Sequence, residues 1–186
     1  YFNTNRIGVG ENDNVLVTGS GPIGLMALQS AKSMGARVTL SSKTAHRREV
    51  GIQMGADAAF DPESDWDALK GRGPYSAWLE CAGADIDTYI KPPDRLLDRF
   101  SRVALIAGRI RVEYHFLWAS SQRITFYQST HFDQPTLERV AQFAADGTLN
   151  LGALIRDVVS IQDAIGVYDT LRDDPMSLGG TVFDWT

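Results

Sequence analysis

The sequence holds one cysteine, Cys81, and three histidines, His46, His115 and His131. A single cysteine cannot close an internal disulfide, so the fold has to be held by its core, and a reducing, cytoplasmic setting is expected. The histidines are scattered and show no metal-ligand spacing such as HExxH, so all three are read as non-ligands. Long runs of one charge sign are absent and the net charge is −5. That argues against a nucleic-acid partner and against an anionic membrane surface. No apolar run approaches the ~20 residues that a membrane helix needs. Internal repeats and low-complexity tracts are missing too. What is present is a chain of 186 residues with ordinary hydrophobic content, enough for one domain with a full core.

Residues 14–48 organise the rest. Val15, Leu16 and Val17 form the short apolar, β-branched run of a buried strand. Gly19, Gly21 and Gly24 follow at G-x-G-x-x-G spacing. A helical pattern opens at Pro22, where the missing N–H costs nothing, with Ile23, Ala27, Ala31 and Met34 on one face. It stops at Gly35, and a second strand covers residues 37–41. Strand, glycine turn, helix and strand make a βαβ unit. Its chemistry is phosphate binding. Gly19 permits the tight turn, Gly21 lets a pyrophosphate approach the backbone, and Gly24 lets helix and strand pack closely. The helix N-terminus adds unpaired N–H groups and partial positive charge.

With VLVTGSGPIGLMALQSAKSMGA at residues 15–36, MGAD at 54–57 and ECAG at 80–83, the chain resembles the coenzyme domain of the medium-chain dehydrogenase/reductase superfamily. The branch it resembles is that of the zinc-dependent alcohol and polyol dehydrogenases, marked by the Gly-Pro-Ile-Gly-Leu turn. The resemblance implies an α/β fold, a Rossmann-type doubly wound parallel sheet spanning residues 1–186. It also implies hydride transfer between an alcohol- or polyol-type hydroxyl carbon of a small-molecule substrate and a nicotinamide coenzyme. In that family a catalytic domain of different fold precedes the coenzyme domain and supplies the zinc ligands. No such domain is recognisable here, and the chain opens at Tyr1 rather than Met, so a fragment that is inactive alone is expected. Two alternatives stand beside this reading: a stand-alone dinucleotide-binding regulatory module, and the coenzyme domain of a zinc-free quinone or enoyl reductase.

The turn residues Gly19, Gly21, Pro22, Ile23 and Gly24 are the first cofactor-binding candidates. Ser42, Lys43 and Arg47 are the second group. Ser42 stands where an acidic residue, about 20 positions past the glycines, would accept hydrogen bonds from a ribose 2′-OH. Hydroxyl, ammonium and guanidinium groups instead attract a 2′-phosphate of about two negative charges, so NADP(H) is favoured over NAD(H). Cys81 and Ala82 end the fourth strand, expected over residues 75–81, and should line the crevice beyond the strand ends. Cys81 is read as a small strand-end residue, with no histidine near in sequence to activate it. Ala107 and Gly108 close a fifth strand over residues 103–107, at positions that in the family approach the nicotinamide. No catalytic acid, base or metal ligand is assigned.

Elsewhere, residues 1–13 read as a connection, residues 58–60 as a third strand, and DPES at 61–64 as a helix start. The prolines at 92 and 93 predict a break, with a new helix near Asp94. Residues 111–118 (RVEYHFLW) read as an edge strand or extended loop, which in the family pairs with a twofold mate, so a homo-oligomer is expected. Residues 124–128 read as a sixth strand, followed by Gln128-Ser129 where the family often has Gly-Ser. A helix from Asp133 should turn Leu137, Val140, Ala141 and Ala144 inward. A closing helix from Asp163 should do so with Ile165, Tyr168 and Leu171, before a last strand over 181–183.

Overall fold

Val15, Leu16 and Val17 lie fully buried in a computed structural model that describes residues 1–128, 131–174 and 180–186. They belong to β1 (Asn14–Thr18), which follows a short helix, α1 (Phe2–Arg6). Next come α2 (Pro22–Ser33), β2 (Arg37–Ser41), α3 (Ala45–Gln53), β3 (Ala58–Phe60), α4 (Trp66–Gly71) and β4 (Tyr75–Glu80). The second half has α5 (Ile86–Ile90), β5 (Leu97–Leu105), α6 (Phe116–Ser121), β6 (Thr125–Gln128) and α7 (Gln134–Ala145). These elements make one unit, Tyr1–Leu149; Asn150–Thr186 make a second.

In the first unit the strands lie in the order β3-β2-β1-β4-β5-β6, with every neighbour parallel. This is the Rossmann-type doubly wound sheet expected from the βαβ pattern. The direction of winding reverses between β1 and β4, so the crevice opens beyond the C-terminal ends of those strands. The core is built from the apolar runs: Leu16, Trp78, Leu97 and Val103 are all inaccessible to solvent. Trp78 stacks on Tyr89 at 4.6 Å, and its indole N–H donates to the Thr18 hydroxyl at 3.0 Å. Burying each large apolar side chain contributes ~1.5–3 kcal/mol, so this strand pair fixes the register of the sheet.

The opposite, N-terminal edge of the sheet is tied by polar side chains. Arg102 donates to the carbonyls of Ile7 at 2.9 Å and Gly8 at 2.6 Å, and forms an ion pair with Asp13. Ser76 donates to Asp13 at 2.6 Å, and the Asn14 amide donates to the carbonyls of Arg72 and Pro74.

Several expectations are corrected. Residues 1–13 are not all connection, because α1 occupies part of them. No helix starts near Asp94; α5 ends at Ile90 and the chain enters β5 at Leu97, six residues earlier than expected. Residues 111–118 are not an edge strand: α6 begins at Phe116 and the residues before it are irregular. Tyr114 stacks on Phe126 at 4.5 Å and the Trp118 indole donates to Ile90 O, so two of the aromatics serve the core instead of an edge. The edges of the six-stranded sheet are β3 and β6. Ile23 is 60% exposed and faces away from the core. In α7 the half-buried stripe is Thr136, Val140, Phe143 and Ala144, leaving Leu137 and Ala141 outside.

The second unit pairs β7 (Asp157–Ser160) with β8 (Thr181–Asp184) in parallel, joined through α8 (Ala164–Asp173). The expected last strand is present. The inward stripe of α8 is rotated by one residue: Ala164, Val167 and Leu171 are half-buried, while Ile165 is 80% exposed and Tyr168 is also outside.

Candidate functional site

Each glycine of the turn after β1 is required for a different reason. Gly19 has φ +90°, a left-handed conformation, and a Cβ there would stand 3.0 Å from the Cys81 carbonyl oxygen. At Gly24 a Cβ would overlap the backbone carbonyl of Gly19. At Gly21 it would meet nothing within 4 Å, because that position faces the open crevice. Gly21 is the N-cap of α2, Pro22 its first residue, and no side chain caps the helix start. The positive end of a twelve-residue helix therefore points into the crevice. The donors fit a phosphate group.

Beyond β2, Ser42 is only 6% exposed and its hydroxyl lies 2.5 Å from that of Ser20, inside the glycine turn. The Ser42 N–H donates to Phe60 O at 2.9 Å, and its hydroxyl accepts from the Thr44 N–H at 3.3 Å. Arg48 donates to the Ser42 carbonyl at 2.6 Å and to Asp61 at 3.0 Å. Lys43 is exposed and pairs with Glu63 at 2.5 Å. The Glu63 hydrogen bond raises the Lys43 ammonium above its ordinary value. Asp61 is held below the usual carboxylate range, first by the Glu63 backbone N–H and then by Arg48. Arg47 is half-buried in the first turn of α3. The helix-start reading of DPES missed that Asp61 and Glu63 face the basic group. The parallel order β3-β2 is what brings them there.

At the end of β4, burial pushes the Cys81 thiol up to about 12, so it stays protonated at neutral pH and is no nucleophile. Ala82 is exposed beside it. Glu80, which sequence reading passed over, is wholly buried. Its carboxylate accepts from the N–H groups of Ala82 at 2.8 Å and Ala84 at 2.9 Å, and pairs with Arg109. Ala107 follows β5, its N–H donating to the Glu80 carbonyl at 3.0 Å, and Gly108 is exposed next to it. Gly108 and Ile106 share a cleft of about 620 Å³ with Pro22, Ile23, Phe132 and Leu137. The glycine turn, the Ser42–Arg47 group and the ends of β4 and β5 thus meet along one edge of the sheet. Gln128 ends β6; Ser129 lies outside the described residues.

The model of the zinc-binding dehydrogenase family matches residues 22–146, about two thirds of the chain. The chain belongs to that family. The sequence is 31% identical over 157 residues to an L-threonine 3-dehydrogenase of Pyrococcus horikoshii, covering 76% of the chain and 43% of the relative. It is 34% identical over 85 residues to a probable formaldehyde dehydrogenase of Bacillus subtilis, covering 44% of the chain and 24% of the relative. Among solved structures, an Escherichia coli short-chain alcohol dehydrogenase complexed with NADH superimposes with a TM-score of 0.84 at 20% identity, over 99% of this chain and 56% of that one. An alcohol dehydrogenase of Aeropyrum pernix gives 0.80 at 19% identity, over 98% and 54%. At such identities these two show the fold. The chain spans about half the length of those structures.

The family name implies zinc. Among the described residues, no three His, Cys, Asp or Glu side chains gather where they could hold a metal ion. The described residues therefore offer zinc no ligand set. Among the same residues no helix is long and apolar enough to cross a membrane.

Proposed function

We propose that this chain is the coenzyme-binding part of an oxidoreductase that moves hydride between an alcohol- or polyol-type hydroxyl carbon and NADP(H). The observation that carries the coenzyme reading is the uncapped glycine turn at the winding switch, with Gly21 facing open crevice. Backbone N–H groups of the turn and of the α2 start would hold the pyrophosphate. Pro22 and Ile23 would shape the pocket, and Cys81, Ala82, Ala107 and Gly108 would flank the nicotinamide. The coenzyme supplies the hydride chemistry; the chain's residues bind and orient it. The names of the threonine and formaldehyde dehydrogenases support this reaction class.

The preference for NADP(H) rests on Ser42, whose buried hydroxyl replaces a carboxylate. Lys43 follows it in sequence and pairs with Glu63, Arg48 donates to its carbonyl and pairs with Asp61, and Arg47 lies in the first turn of α3. A surface pair such as Lys43–Glu63 is weak and solvent-screened, so a phosphate of about two negative charges can compete for the ammonium. Titration of the chain with NADPH and NADH at matched salt tests this. Tighter NADPH binding, lost when Lys43 and Arg47 become Ala, is the expected result. Tighter NADH binding overturns the phosphate argument, and binding of neither overturns the coenzyme reading for this chain.

The reading includes a cytoplasmic setting, a small-molecule substrate and self-association. Association is proposed through residues 111–118 and the β6 edge against which Tyr114 stacks, and sedimentation of the protein as a monomer at high concentration would sink that part.

A further inference from the structure

Glu80 ends β4 at the mouth of the crevice, and it is held to both loops that leave the sheet there. Its backbone carbonyl accepts from the N–H groups of Ile106 at 2.8 Å and Ala107 at 3.0 Å, which fixes the chain leaving β5. One carboxylate oxygen accepts from Ala82 and Ala84, which curls the loop leaving β4. The Thr18 hydroxyl reaches the same oxygen at 3.4 Å from the end of β1. Across the gap, Arg109 pairs with the carboxylate and donates to the Ala84 carbonyl at 3.2 Å. Arg109 thereby anchors a segment with little else to hold it, since Gly108 and Ile110 on either side are exposed. A wholly buried carboxylate is costly unless paired, and Arg109, itself largely buried, supplies the opposite charge, so this is not a surface ion pair.

We propose that the Glu80–Arg109 pair is a positioning latch that sets the nicotinamide half of the coenzyme site. This rests on the coenzyme reading above. The loops it joins carry Cys81, Ala82, Ala107 and Gly108, whereas the adenosine half depends on Gly19, Ser20 and Ser42, which Arg109 does not touch. Loosening the latch therefore weakens binding of the whole dinucleotide and spares binding of a ligand that lacks nicotinamide. Both residues are positioning residues; neither is assigned a chemical step.

The test compares NADH, NADPH and ADP-ribose binding to the wild-type chain and to Glu80→Gln, Arg109→Met and Arg109→Lys, with a thermal melt of each. Glu80→Gln keeps an oxygen for the Ala82 and Ala84 N–H groups but loses the charge that holds Arg109. The expected result is a loss of about tenfold in dinucleotide affinity with ADP-ribose changed less than about twofold, partly recovered in Arg109→Lys. If a single variant fails to fold, the double variant Glu80→Gln/Arg109→Met leaves no buried charge unpaired and should fold while keeping the selective loss. Equal losses for ADP-ribose and dinucleotide, or unchanged dinucleotide affinity in folded variants, overturn the latch alone. If the wild type binds none of the three ligands, the coenzyme reading fails and the latch falls with it.

Discussion

Gly21 and Gly24 are three positions apart, yet their hydrogens face opposite surroundings. A methyl group at 24 has nowhere to go, because the Gly19 carbonyl already occupies its place. Gly24→Ala is expected to cost ~3 kcal/mol by overpacking and to lower the melting temperature by several degrees. A methyl group at 21 meets no protein atom. Gly21→Ala should melt within about 2 °C of the wild type and still lose dinucleotide affinity, since the added carbon enters the space a pyrophosphate needs. Equal melting losses in the two variants would contradict the distinction. The tight turn and close packing at Gly19 and Gly24 were legible from the glycine spacing. Asp61, Glu63, Glu80 and Arg109 were not, because what makes them matter is a partner brought near by strand order. For the lone cysteine, the missing neighbouring histidine was legible, and the burial that raises its thiol was not.

Asp57 joins two elements through one carboxylate. It accepts from the Val38 N–H at 2.7 Å on β2 and from Lys32 at 2.9 Å near the end of α2. Burial alone would raise its pKa, but the Val38 N–H and Lys32 outweigh it and hold the carboxyl below the ordinary value. Its folded pKa is depressed, so its contribution is complete above the unfolded value near ~4 and fades as pH falls through the folded one. Asp57→Asn should cost ~1 kcal/mol at pH 7, discounted for partial exposure, and less at pH 3; urea melts at the two pH values check this. At the same scale, β5 shows why periodicity misleads. Leu96, Leu97, Phe100, Val103 and Ala104 recur at helical spacing, which fits a helix after Pro93 as well as a strand. Pairing with β4 decides the matter, and the misfit is absorbed in an irregularity. Tyr75 faces Leu97, Ala77 faces Arg102, and Phe100 takes a left-handed φ of 65° between them. For residues 111–118 the loop alternative holds up to His115 and the edge strand does not, since aromatic alternation is shared by an edge strand and by a loop whose rings pack on a core.

For the molecule as a whole, the doubly wound parallel class of the sheet followed from one βαβ unit and the glycine turn, because right-handed crossovers leave few ways to continue. The substrate was not legible, since a chain spanning about half the length of its structural neighbours shares its fold with many chemistries. The two ends of the sheet divide their tasks: loops and glycines at the C-terminal end, tied side chains at the other. That tied end also has a place in time. Arg102 and Asp13 are 89 positions apart, so their pairing can reward the chain only after β1, β4 and β5 stand in register. A contact made after the rate-limiting step leaves the speed of folding alone and slows escape from the native state. In stopped-flow chevrons, Arg102→Ala should therefore raise the unfolding arm and leave the refolding arm in place. The residues farthest from the crevice would then set how long it stays formed.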